Sequence, residues 1–91
     1  MKDMIFISLV KFRKKPSKTF PEESNRILAE MAGKGFKPIS MYWTLGRYDA
    51  ILVSEAPNEK VVMETMIKYG EIASSETLVA VPREEALKLL E

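Results

Sequence analysis

The chain predicts an α+β fold, β-α-β-β-α-β with a four-stranded antiparallel sheet and a short C-terminal helix. Three observations carry that expectation. Short branched and aromatic runs alternate with two segments of helical apolar spacing. The stretch Tyr42-Trp43-Thr44-Leu45-Gly46-Arg47-Tyr48-Asp49-Ala50 reads as two β-prone runs joined at Gly46-Arg47, a hairpin whose leading glycine suits a type II′ turn. Pro38 has no backbone donor, so its strand belongs at an edge or must begin there.

Strand one is the apolar run 4–10, and Lys11 to Lys18 follows as a basic connection containing Pro16. Helix one begins near Pro21, with Glu22 and Glu23 complementing the helix dipole. Its buried face is Ser24, Ile27, Leu28, Met31 and Ala32, and Gly33 or Gly35 ends it. Strand two spans 36–45 and strand three 48–55. Asn58 caps helix two, whose stripe is Val62, Met63, Met66, Ile67 and Tyr69, closed by Gly70. Strand four covers 75–81, and Pro82 opens a terminal helix carrying Ala86, Leu87 and Leu90. This order is the ferredoxin-like split βαβ pattern, with strand order 4-1-3-2, which puts strand two at the edge that Pro38 requires.

Ninety-one residues fit one domain, spanning 1–91, near the lower size at which a lone core suffices. Strand one is apolar on both faces, Met4, Phe6 and Val10 against Ile5, Ile7 and Leu9, and strand three repeats this. An antiparallel sheet with one wet face normally alternates apolar and polar residues. The second face is therefore expected to be covered, by a second copy in a homodimer or higher oligomer, or in part by the terminal helix.

A net charge of +1 gives no field that demands nucleic acid or an anionic membrane. No apolar run reaches the roughly 20 residues of a membrane span, and no signal peptide is read at the start. The absence of cysteine removes thiolate nucleophiles and points to a cytoplasmic setting, and the absence of histidine removes the commonest zinc and haem ligand. The scattered carboxylates show no recurring ligand spacing, so no metal and no cofactor are expected. The basic run Lys11, Arg13, Lys14, Lys15 and Lys18, with Phe12 and Phe20 beside it, reads as a solvated loop.

The segment Thr44-Leu45-Gly46-Arg47-Tyr48-Asp49-Ala50, followed by Glu55-Ala56-Pro57, resembles the GYD domain family, and the similarity runs from the first strand through Thr77 and Val81. The resemblance implies the dimeric α/β-barrel type of ferredoxin-like fold and a small stand-alone cytosolic protein, without defining a biochemical role. The connection 11–20 is where this chain departs most from the family pattern. The effector-sensing domain of Lrp/AsnC-type regulators is also similar, with a Gly-x-x-Asp after its second strand. That likeness implies amino-acid binding at subunit contacts.

Alternation across the hairpin places Ser40, Tyr42, Thr44 and Asp49 on one face and Met41, Trp43, Leu45, Tyr48 and Ala50 on the other. The first set is a polar cluster on an apolar sheet, and such a cluster satisfies itself or awaits a ligand. Tyr42, Trp43, Thr44, Tyr48, Asp49 and Lys11 are the candidate ligand-binding residues, and Gly46 is the structural turn. Asp49 either ion-pairs with Lys11 and steadies the hairpin, or serves as the proton acceptor of a cofactor-free, monooxygenase-like enzyme on a flat aromatic substrate. Trp43 and Tyr48 either pack across the hairpin or stack on that substrate. The leading expectation is a small-molecule binder with its pocket between sheet and helices or at the subunit contact.

Overall fold

A computed structural model describes residues 3–91. Its elements are β1 (Met4–Phe12), α1 (Phe20–Ala32), β2 (Lys37–Trp43), β3 (Ala50–Ala56), α2 (Glu59–Lys68), β4 (Ala73–Ala80) and α3 (Arg83–Leu87), which runs into a single 3₁₀ turn. The sheet is antiparallel throughout, in the order β2-β3-β1-β4. This is the expected order read from the opposite edge.

Register divides the residues of the sheet between two faces. Phe6 pairs with Ser54 and Val79, Ser8 with Leu52 and Thr77, and Val10 with Ala50 and Ser75. These side chains share the face under α1 and α2, because residues paired across strands point the same way. Phe6, Ile27, Met31, Phe36, Leu52, Ala56 and Val62 form the core there. The opposite face carries Ile5, Ile7 and Leu9 beside Glu55, Val53 and Ile51. Among the described residues, no helix takes part in a core on that side.

Local chemistry explains the boundaries. Pro21 occupies the first turn of α1, with Glu22 and Glu23 next to it. Gly35, at φ +97°, lets the chain reverse after α1, and the Phe36 N–H then donates to the Met31 carbonyl at 3.1 Å. The Asn58 side chain accepts from the Val61 N–H at 3.1 Å and caps α2, as the sequence predicts. Pro38 sits on the edge strand, next to an irregularity between Pro38 and Ser40 where the register shifts.

Four expectations need correction. First, β1 continues through Lys11 to Phe12, because β4 supplies partners as far as Ala73. A basic residue at a strand end has the same local pattern as the start of a loop, so the sequence alone ends the strand early. Second, β2 ends at Trp43 and β3 begins at Ala50, so the hairpin connection is a six-residue bend rather than a two-residue turn, although Thr44 N–H still donates to the Asp49 carbonyl at 2.9 Å. Third, Met63 and Ile67 lie outside the core, 61% and 70% exposed, while Thr65 is buried. Thr65 is tolerated inside because its hydroxyl donates to the Val61 carbonyl at 2.8 Å. Fourth, Ala32 is exposed, and the terminal helix buries none of its residues, with Leu89 and Leu90 each 82% exposed.

Candidate functional site

One end of the sheet, where β1 and β2 finish and β3 and β4 begin, opens into a cleft beneath α1 and α2. Alternation aims Val10 and Phe12 from β1, Met41 and Trp43 from β2, and Ala50 and Leu52 from β3 into it. Phe20 and Ser24 from α1 and Met66 and Tyr69 from the α2 end close the other side. The cleft holds about 70 Å³, and its lining is almost wholly apolar. That is less than the roughly 150 Å³ cavity known to admit benzene, so the space limits an apolar occupant to a short, thin segment.

Three aromatic rings meet at the mouth. Phe12 stands edge-on to Phe20 at 5.6 Å and to Trp43 at 5.2 Å between centroids, and Phe20 lies 6.2 Å from Trp43. Edge-to-face contacts of this kind hold the rings in place. Trp43 remains 67% exposed, so it forms a lip rather than a plug. Among the lining residues, the Ser24 and Tyr69 hydroxyls are 2.6 Å apart, and the Tyr69 hydroxyl donates to the Ser24 carbonyl at 3.3 Å. Burial raises the Tyr69 pKa above its ordinary value, against the opposing pull of the Ser24 hydrogen bond. The phenol is therefore neutral at physiological pH and can donate or accept a hydrogen bond.

The predicted site residues are not gathered in one place. Trp43 and Tyr42 border the cleft, but pairing with Ile51 puts the Tyr42 side chain on the opposite sheet face. Tyr48 also belongs to that opposite face: its hydroxyl donates to Glu76 Oε2 at 2.8 Å, and Glu76 is in register with Leu9. The expected packing of Trp43 on Tyr48 is thus replaced by packing of Trp43 on Phe12 and Phe20. Arg47 lies 5.5 Å from the Tyr48 ring centroid instead.

Asp49 and Lys11 are neighbours, yet their charges satisfy different partners. Asp49 Oδ2 accepts the Phe12 N–H at 2.8 Å, while Lys11 Nζ donates to the Arg47 carbonyl at 3.3 Å. Thr44 turns inward to its own loop, its hydroxyl donating to the Tyr48 carbonyl at 2.8 Å. Gly46, at φ +103°, is the bend residue that the sequence singles out. Among the described residues, no group of three or more acidic, histidine or cysteine side chains stands close enough to hold a metal ion. No helix among them is long and apolar enough to cross a membrane.

Sequence reasoning missed Phe12, Phe20, Ser24 and Tyr69 as a group. The available signal was the pair of phenylalanines bracketing the basic connection. A hydrophobic residue at each end of a charged loop marks two anchors on one apolar surface.

Comparison with known proteins agrees with this architecture. A family model described as the GYD domain matches residues 6–90. No curated protein matches. Among solved structures, one titled "Crystal structure of PH0061" is similar, with a TM-score of 0.57 and 18% identity over 86% of this chain. The match covers 51% of that chain, so the present chain spans about half its length. At that identity the likeness shows the fold alone.

Proposed function

The chain belongs to the GYD domain family, and on that footing we propose that it is a small-molecule-binding protein that takes the apolar part of its ligand into the cleft under α1 and α2. The observation that carries this reading is the aromatic mouth: three rings from β1, α1 and β2 meet beside an apolar space whose lining also includes the hydrogen-bonded Ser24 and Tyr69. A few convergent polar groups within an apolar lining are the usual chemistry of a small-molecule site.

Binding is favoured over catalysis by the state of Asp49. Its carboxylate holds a backbone N–H of β1, and its neighbour Lys11 is turned to a carbonyl. A proton acceptor must reach the substrate, and Asp49 is not among the residues that line the cleft, which include no carboxylate, lysine or arginine.

The assembly is proposed to be a homo-oligomer, with the face of Ile5, Ile7, Leu9, Ile51 and Val53 packed on a second copy. The buried core of the described residues lies on the other face, and apolar surface of that continuity is the chemistry of an interface. Amide chemical-shift mapping with hexanamide, a neutral short-chain probe, tests the cleft. Perturbations concentrated at Phe12, Phe20, Trp43, Met66 and Tyr69 are expected. Shifts that are absent, or scattered away from these residues, would end the proposal.

A further inference from the structure

We infer that the ligand of this cleft is an amphiphilic anion, a short acyl chain bearing one carboxylate, with its head held by the loop between Phe12 and Phe20. The inference rests on the cleft being a binding site, and it adds the charge of the ligand. Phe12 and Phe20 are the two ends of that loop, and their rings touch at 5.6 Å, which pins both ends to the mouth of the cleft. The loop reads Arg13-Lys14-Lys15-Pro16-Ser17-Lys18-Thr19 and contains no acidic residue.

Arg13 is used structurally. Its Nε donates to the Gly70 carbonyl at 2.7 Å and its N–H to the Ile72 carbonyl at 2.9 Å. Lys14, Lys15 and Lys18 are exposed and have no ion-pair partner among the described residues. Lys34, Lys37 and Lys68 each hold a carboxylate at 2.7–3.1 Å, whereas Lys11, Lys60 and Lys88, like the loop lysines, have no ion-pair partner among the described residues. Each of the three free lysines lies within three residues of Phe12 or Phe20, at most about 10 Å of chain.

Glu22 and Glu23 stand in the next helical turn and offset part of this charge. Glu23, however, accepts from the Thr19 hydroxyl at 3.4 Å. The lining of the cleft carries no charge of its own. An apolar space whose lining includes both ends of a loop with three exposed lysines suits a molecule with an apolar body and an anionic end, because neither half is satisfied by the other's partner. The small volume limits the apolar body to a short chain rather than a fatty-acid tail.

Trp43 is the only tryptophan of the chain and sits on the lip, so its emission reports the site directly. The test compares hexanoate with hexanamide at matched low ionic strength, in the wild-type chain and in the Lys14→Gln/Lys15→Gln/Lys18→Gln variant. Hexanoate is expected to bind about ten-fold tighter than hexanamide, three exposed ion contacts acting together. In the variant that preference is expected to vanish while hexanamide binding is unchanged. Equal affinities in the wild type would overturn the anionic head and leave the cleft reading standing. Binding of neither compound would overturn both.

Discussion

The Asp49 carboxylate closes the end of β1 by accepting the Phe12 N–H at 2.8 Å, and the Asp49 N–H returns a bond to the Val10 carbonyl at the same distance. This two-way clamp carries β1 past the last hydrogen-bonded pair of β3 and delivers the Phe12 ring to the cleft. Removing the acceptor in Asp49→Ala is expected to cost about 2 kcal/mol, the scale of a charge-assisted hydrogen bond to a partly buried donor. Asp49→Asn keeps an acceptor and is expected to lose less. Urea denaturation reads both, and an alanine variant as stable as the wild type would contradict the clamp.

The two glycines of positive φ are expected to respond differently to alanine. At Gly46 a Cβ would meet nothing within 4 Å, so only the backbone preference is lost, about 1 kcal/mol. At Gly35 a Cβ would stand 2.9 Å from Pro57 Cδ in addition to the φ of +97°. The proline ring has little freedom to retreat, and a loss of about 2 kcal/mol or more is expected there. Equal losses in thermal or chemical unfolding would contradict this ranking.

Ser54 is fully buried, and its hydroxyl has no hydrogen-bond partner among the described residues. Ser54→Ala is therefore expected to be neutral or to stabilise by up to about 1 kcal/mol, because an unpaired buried hydroxyl is a desolvation cost without return. Ser8 is the contrast, since its hydroxyl lies 3.0 Å from that of Thr77 and Ser8→Ala breaks the pair. A Ser54→Ala chain destabilised by more than Ser8→Ala would show that Ser54 has a partner.

The open sheet face is tested by Ile7→Lys. Ile7 lies mid-strand between Val53 and Leu78 on that face, where a lysine cannot be buried against a second copy without severe desolvation. Light scattering at low micromolar concentration is expected to give a multiple of 10.4 kDa for the wild type and 10.4 kDa for the variant. A wild-type chain that runs as a clean monomer would contradict the proposed assembly.

The strand order was legible because Pro38 restricts where β2 can lie, and because alternation and helical spacing are direct consequences of backbone geometry. The site was less so. Lys11 and Phe12 belong to β1, but a lysine at a strand end looks the same in sequence as the start of a loop. Trp43 and Tyr48 were assigned to one face by assuming that alternation passes straight through a two-residue turn. A six-residue bend breaks that count and sends Tyr48 to the opposite side. Met63 and Ile67 obey helical spacing and are still exposed, because α2 turns Val62 and Thr65 inward instead.

The cleft itself is tested most directly by titrating Trp43 emission with hexanamide in the wild type and in Ala50→Leu, which fills the floor of the cleft from β3. A saturable change in the wild type that is abolished in a folded Ala50→Leu chain is the expected result. A wild-type signal that does not change, or one that the filled cleft reproduces in full, would contradict the account.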